Sequence, residues 1–451
     1  MPKNIRLDQL GKILGDNLLQ IVSGDLSKSA IAVNTDTRNF PVGAIFLALV
    51  GEKFDGHDFA AIAIEQGAIA LIVARQLAVD SNITQFIVAD TLKAYQDIAR
   101  WWRDRFAIPV IGVTGSVGKT STKELIAAVL GTQGQVLKTQ ANYNNEIGVP
   151  KTLLEITSEH DYAVVEMAMR GLGEIALLTD IANPTIGVIT NVGTAHIGRL
   201  GSREAIAQAK CELLAQMSPQ STAILNYDNP LLIETAAQVW QGKTITYGLT
   251  GGDLHGKLTD NNSISVAEQN LPLPLSGIHH ASNYLAAIAV AQTLEIDLTC
   301  LTAGLTVELP KGRSRRYQLA DDILLLDETY NAGFESMQAA LRMLKETPGN
   351  RHIAVLGTMK ELGSYSASLH QQVGITVGEL GIDHLLVLAD EPETETMMTG
   401  AEGVIAECFR DRTLLSNRLR NIMMPGDRIL FKASNSVGLN QIVEKLRQHS
   451  Y

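Results

Sequence analysis

A single stretch, Ile108 to Leu130, limits this chain to a small set of folds. An apolar, β-branched run from Ile108 to Val113 leads into Thr114-Gly115-Ser116-Val117-Gly118-Lys119-Thr120-Ser121, and a segment of helix-forming composition runs from Lys119 to Leu130. Strand, glycine turn and helix in that order make a cradle for phosphate. The glycines let backbone N–H groups approach the anion, and the helix N-terminus adds partial positive charge. The spacing predicts Lys119 on the β- and γ-phosphates of a nucleotide and the Thr120 hydroxyl on Mg²⁺. The common form of the loop has a further glycine where this chain has Val113, so the pattern here is the tighter Thr-Gly-x-x-Gly-Lys-Thr. A chance glycine turn before an ordinary helix is the competing reading. The apolar strand, both glycines, the Lys and the Thr in the right order weigh against it. A phosphate loop by itself names no reaction.

Composition bounds the remainder. At 451 residues the chain is too long for one ordinary core, and about two to four domains are expected. A net charge of −11 argues against broad binding to nucleic acid or an anionic membrane. Anionic ligands then need local positive spots, such as Lys119 and Lys123. Cys211, Cys300 and Cys408 are widely spaced with no Cys-x-x-Cys, which points to reduced cytosolic thiols rather than a disulfide frame or a zinc site. The first residues lack the apolar core of a signal peptide. No run of about 18 apolar residues occurs, so no membrane span is expected.

Taken in order, residues 1–90 read as a small α/β unit. A helix is predicted over Leu7 to Leu14 and strands over Ala30 to Val33, Ala44 to Leu49, Ala70 to Ala74 and Gln85 to Ala89. Two polar loops, Asp36-Thr37-Arg38 and Asp55-Gly56-His57, follow strands. Turn chemistry and ligand contact are equally open for them. A helix from Asp90 to about Phe106 links to residues 91–311. There the amide-rich run Asn142 to Pro150 suggests ligand contact beyond turn formation. Glu166 ends an apolar strand beside the phosphate loop and is well placed for Mg²⁺. His196 also lies just past a strand, where a structural role is the commoner one. Lys210, inside a helix from Ser202 to Met217, reads as an exposed lysine. Residues 312–451 open on the basic cluster Lys311 to Arg316 and form a second open sheet, with Asp327 at a strand end. The alternation predicts an α/β fold of three domains: a small N-terminal one, a central phosphate-loop domain with a parallel sheet, and a C-terminal Rossmann-like one.

These motifs together resemble the Mur ligases, the ATP-dependent amide-forming enzymes of peptidoglycan precursor synthesis. The resemblance spans essentially the whole chain. It rests on Asp36-Thr37-Arg38, Phe54 to His57, Thr114 to Glu124, Asn142 to Pro150, Asn191 to His196, Lys210, Gly312-Arg313, Asp327 to Ala332 and Gly357 to Gly363. It implies that Thr37, Arg38, Asp55, Gly56 and His57 hold the UDP end of a UDP-N-acetylmuramoyl-tripeptide. It implies ATP on Gly115 to Ser121, with Asn283 by the adenine, Arg313 on the terminal phosphates and Asp327 on the ribose. Thr120 and Glu166 would hold one Mg²⁺. His196 and Lys210 would serve a second, with Lys210 carbamylated by CO₂. Lys119, His196 and Lys210 are the implied catalytic residues. The C-terminal domain would bring D-alanyl-D-alanine. A cytoplasmic monomer of cell-wall synthesis, active in cell growth and division, is implied. Where the family has His-Asn, Asn-Pro and Lys-Gly-Ser, this chain has His279-His280, Gly333-Phe334 and Lys432-Ala433-Ser434. A folate-directed glutamate ligase of the same architecture and a non-catalytic nucleotide-binding scaffold are the alternatives. The N-terminal UDP module argues against the first.

Overall fold

The computed structural model describes residues 5–22, 24–260 and 262–448. Its backbone is organised around three open, mainly parallel sheets. The first is ordered Leu18–Val22, Thr84–Val88, Ala70–Val73, Ile45–Leu47, Val33–Asn34, with only the Leu18–Val22 edge strand antiparallel. The second has seven parallel strands in the order Leu254–His255, Lys243–Gly248, Thr222–Asn226, Ile186–Ile189, Val110–Thr114, Tyr162–Glu166, Val136–Lys138. The third is ordered Arg315–Gln318, Leu324–Asp327, Asp427–Lys432, Arg351–Gly357, His384–Leu388, Ile405–Phe409, again with one antiparallel edge strand, Arg315–Gln318. A three-stranded antiparallel ribbon, Lys257 to Pro272, projects between the second and third sheets in sequence.

The central strands of the second sheet are near-continuous apolar runs because helices cover both faces, as parallel crossovers require. Val110 to Thr114 and Ile186 to Ile189 are buried throughout. One cover is the helix Lys119–Leu130, and against it packs Ile278–Thr293, buried from Ala281 through Ala291 except for Ser282. A helix apolar on nearly every side belongs in the interior, and its small residues permit close approach.

The helix Thr91–Arg103 is capped by Asp90, whose carboxylate accepts the Leu92 and Lys93 N–H groups at 2.8 and 3.0 Å. It ends three residues before the expected Phe106. Its last turn is fastened to the central unit: Trp102 Nε1 donates to the Ile156 carbonyl at 3.0 Å, and Arg103 donates to the carbonyls of Ala182 and Asn183 at 2.9 and 2.6 Å. The strand expected at Ala30 to Val33 is instead two short strands, Ser29–Ala30 and Val33–Asn34, in different sheets. The chain turns between them, so one apolar run serves two partners.

Candidate active site

The phosphate-loop strand Val110–Thr114 sits between Tyr162–Glu166 and Ile186–Ile189, with Glu166 level with Val113 and Ile189 level with Thr114. The chain first crosses from this strand to Val136–Lys138 on one side and returns through Tyr162–Glu166, then passes to Ile186–Ile189 on the other side, so the crossovers part and a crevice opens at its C-terminal end, where ligands of open α/β sheets bind. Gly115 has φ +151° and Gly118 φ +85°. A Cβ on Gly115 would lie 1.9 Å from Thr190 Oγ1, and one on Gly118 2.7 Å from the Asn283 carboxamide. Only glycine fits either place.

Asn191 braces the loop from the neighbouring strand end. Its carbonyl accepts Ser116 N–H, its Oδ1 accepts Val117 N–H, both at 3.0 Å, and its Nδ2 donates to the Val117 carbonyl. Ser116 Oγ accepts Gly193 N–H at 2.8 Å. The loop's first amides are therefore spent on rigidity. The amides free to meet an anion are those of Gly118, Lys119, Thr120 and Ser121, since the helix ladder begins with Thr122 N–H on the Gly118 carbonyl. Lys119 folds back, its Nζ donating to the Gly115 and Ser116 carbonyls at 2.8 and 3.3 Å. Burial pushes its ammonium below the ordinary value; Glu166 opposes that shift and Arg313 adds to it.

Glu166 forms the crevice's second wall. Its Oε1 accepts Asn144 Nδ2 at 2.7 Å, while Oε2 is buried with no hydrogen-bond partner among the described residues. An orphaned carboxylate oxygen in the interior is costly unless a cation meets it. Glu166 and the buried Thr120 hydroxyl offer hard oxygens, which suit Mg²⁺. No group of three or more His, Cys, Asp or Glu able to hold a metal occurs among the described residues. A cation here would draw most of its ligands from phosphate and water, the habit of magnesium.

Lys210 corrects the sequence reading. It is 1% exposed, not a solvent-facing lysine. Burial and then the Lys119 charge push its ammonium well below the ordinary value. Its helix, Arg203–Gln216, is buried at Ile206, Ala207, Ala209, Cys211, Leu213 and Leu214 as well. Glu204, Gln208, Glu212 and Gln216, exposed or half-buried, form one stripe at helical spacing, and Lys210 lies away from it.

His196 lies at the N-terminus of the short helix Ile197–Leu200 with φ +67°. Its Nδ1 is 2.5 Å from the Glu361 carboxylate of the third sheet's unit, and Glu361 itself has φ +65°. Two non-glycine residues in the left-handed region, from different units, thus meet at one point. A second carboxylate, Glu335, accepts Thr194 N–H at 2.7 Å and Thr194 Oγ1 at 3.2 Å. Gly198 N–H donates to the Glu361 carbonyl at 3.1 Å. The segment 193–198 is therefore the seam between the two units. Periodicity gives no signal for Glu335 or Glu361; the Gly357 to Gly363 motif does mark the latter.

From the third unit, Arg313 stacks 3.9 Å over the Tyr330 ring, and its Nε is buried without a partner among the described residues. Asp327 accepts Thr329 N–H and Oγ1 at 3.1 and 2.6 Å, and burial raises its pKa. The His279 and His280 rings lie 4.0 Å apart, tilted by 46°, and His280 Nε2 is 2.8 Å from Ser314 Oγ. Burial lowers His279 to about 4. The structure thus gathers Gly115 to Ser121, Glu166, Asn283 and Arg313 around one crevice, with Lys210 behind Lys119.

Thr37, Arg38, Asp55, Gly56 and His57 lie elsewhere, at the C-terminal edge of the first sheet. Asp55 accepts His57 N–H at 3.0 Å, contacts His57 Nδ1 at 2.5 Å and pairs with Arg75 at 2.9 Å. His57 Nε2 accepts Ala74 N–H at 2.8 Å. A Cβ on Gly56 would lie 2.4 Å from the Leu49 carbonyl oxygen. Arg38 is 87% exposed and grips Asp36, holding that carboxylate at about 2. The same edge faces the amide-rich loop, for Lys151 acts on Asp36 and Tyr143 on Arg38. Within that loop the amides divide: Asn145 Oδ1 accepts Gly148 N–H at 2.9 Å at a helix start, while Asn144 holds Glu166.

Comparison with known proteins agrees with this arrangement. Residues 32–100 match the Mur ligase family catalytic domain, 113–291 the Mur ligase middle domain, and 312–435 the Mur ligase glutamate ligase domain. The UDP-N-acetylmuramoyl-tripeptide–D-alanyl-D-alanine ligase of Synechocystis sp. is 61% identical over 413 residues, 91% of each chain. MurF from Acinetobacter baumannii superposes with a TM-score of 0.88 at 30% identity, covering 99% of this chain and 100% of that one. MurF ligase from Thermotoga maritima in complex with ADP gives 0.82 at 30% identity, covering 92% and 97%. With three family domains in register, and a relative of that identity over nine-tenths of its length, this chain belongs to the Mur ligase family.

Proposed function

We propose that this chain joins D-alanyl-D-alanine to UDP-N-acetylmuramoyl-tripeptide at the expense of ATP, through an acyl phosphate, and releases UDP-N-acetylmuramoyl-pentapeptide, ADP and phosphate. The observation that carries the reading is the concentration of under-paired charge at one sheet edge. Lys119 bonds only carbonyls, Arg313 Nε and Glu166 Oε2 bond nothing among the described residues, and Lys210 is buried beside Lys119. That is the electrostatic inverse of a nucleotide with its cation. The activity printed for the Synechocystis relative supplies the substrates.

The chemistry follows from charge. A carboxylate must attack a phosphorus that already carries negative oxygens, so cations have to be placed in line beforehand. Lys119, the helix N-terminus and Arg313 would neutralise the phosphate chain. Asn283 would bound the adenine and Asp327 the ribose. Thr120 and Glu166 would hold one Mg²⁺, and His196 with Lys210 a second; such ions would supply positive charge against the transferring phosphoryl group. The depressed ammonium of Lys210 favours the neutral amine, which can add CO₂ with loss of one proton to give an anionic carbamate. That anion would sit well beside Lys119. Glu335 on Thr194 and Glu361 on His196 hold the third unit over the seam, where exclusion of water protects an acyl phosphate. Residues 1–90, as the first domain, would hold the UDP end, residues 91–311 the ATP, and residues 312–451 the dipeptide. We read the enzyme as a cytoplasmic monomer.

Phosphate release from Mg-ATP is the test, measured with UDP-N-acetylmuramoyl-tripeptide present and D-alanyl-D-alanine added or withheld. Release that requires both, with a UDP-pentapeptide found by mass, is expected. Release with neither, or with glutamate and a folate, would refute the substrate assignment and leave the phosphate loop standing.

A further inference from the structure

Lys432 closes the strand Asp427–Lys432 at the same sheet edge as Asp327 and Glu328. Asp327 is level with Phe431, and Glu328 N–H donates to the Phe431 carbonyl at 3.0 Å. The Lys432 side chain belongs to a residue only 5% exposed. Its ammonium makes one hydrogen bond, to the Asn331 carbonyl at 3.0 Å, and has no carboxylate in ion-pair range among the described residues. An ammonium has three protons to place, and a buried cation held by one neutral acceptor is poorly compensated.

Its surroundings say what would compensate it. Asn331 follows Tyr330, the ring on which Arg313 stacks, so the two cations share one short segment as support. Arg313 keeps its own Nε unmet. Lys432 acts on His279, and Arg313 acts on Lys432, which places all three where the third unit meets the helix Ile278–Thr293. Glu328 and Asp327 support the ammonium's charge from a distance, but neither is in ion-pair range, and Glu328 Oε1 is taken by Ser314 N–H and Oγ, each at 3.1 Å.

We propose that Lys432 is a nucleotide-binding residue, the third unit's ammonium on the ATP phosphate chain alongside Arg313. The assignment rests on the ATP-dependent reading above. It selects the nucleotide over the carboxylate of the dipeptide because Arg313 and Asp327 both stand with the nucleotide in that reading. Lys432 comes from the third sheet and the phosphate loop from the second, so a phosphate shared between them would draw the two units together.

Titration calorimetry of the full chain with Mg-ATP tests this. Lys432→Met is expected to weaken ATP at least about tenfold, the loss of one charge-assisted contact. Lys432→Arg keeps a cation and should stay within about threefold of the parent. Competitive inhibition by adenosine, which has no phosphate, should be unchanged in both, and the melting temperature of Lys432→Met should not fall. If Lys432→Met does not fold, Lys432→Gln, which can keep the Asn331 bond without the charge, carries the same expectation. Equal ATP affinity in parent and variant would overturn the Lys432 assignment alone, as would a change confined to the KM for D-alanyl-D-alanine. A parent chain that does not bind Mg-ATP would overturn the nucleotide reading itself.

Discussion

The C-terminal edge of the second sheet and the C-terminal edge of the first carry loops of similar make-up, each with glycine, a carboxylate and a basic side chain. In the first sheet the polar groups satisfy one another. Asp55 takes His57 and Arg75, and His57 takes the Ala74 amide. In the second sheet they do not. Glu166 Oε2 has no partner among the described residues, Lys119 has only carbonyls, and Lys210 is desolvated beside another lysine. A closed network stabilises its own loop, whereas an open one is stabilised by what binds to it. The contrast separates a self-satisfied loop from one left open to charge, without appeal to any motif.

The sharpest way to break the comparison is Lys119→Ala. It should lower turnover by about 10³-fold, as loss of a preorganised charge does, with an unchanged melting curve; near-normal phosphate release would refute the role. Lys210→Ala should cost at least about a hundredfold on the same grounds, and added acetate should restore part of the rate. Full activity in that variant would remove the carbamate from the mechanism. The opposite pattern is expected at His57, where His57→Ala orphans buried groups and should destabilise the chain by about 1–3 kcal/mol in denaturant melts. Mg-ATP affinity should not change, and an ATP-binding defect without a stability loss would contradict the scaffold reading.

The smallest effect is in pH. The amide and side chain of His57, with Arg75, hold the Asp55 carboxyl well below the ordinary carboxylate range. A depressed folded-state pKa contributes stability that is fully present above the unfolded value, about 3.9, and is lost as pH falls through the folded one. Asp55→Asn should therefore flatten the acid limb of a stability-against-pH curve below about pH 4 and leave the neutral region's slope alone. Parallel curves for parent and variant down to acid unfolding would show that Asp55 carries no linkage.

Much of this was legible in the chain. The helix Leu7–Leu14 and the phosphate-loop strand and helix fall where their periodicity and turn residues put them. Glu166 stands at a strand end as its position predicts. The amide-rich run was legible as special but not in its division of labour, because Asn144 meets Glu166 across 22 positions while Asn145 serves a helix start nearby. Ala30 to Val33 reads as one strand because apolar content does not say which partner each half will find.

The sequence alone determined the α/β order, the phosphate loop with Gly115, Gly118, Lys119 and Thr120, and the family. These depend on local spacing, where a few neighbouring residues fix a turn or a helix start. Only the tertiary structure decided that Lys210 is buried, that Glu335 and Glu361 close on 194–198, and that Lys432 is a cation short of partners. Burial and unpaired charge belong to a packed set of side chains drawn from distant parts of the chain. Thr194 and Glu335 are separated by 141 positions, and Lys432 and Asn331 by 101. No local pattern encodes the dielectric that such contacts create, and that dielectric is what lowers a buried ammonium's pKa.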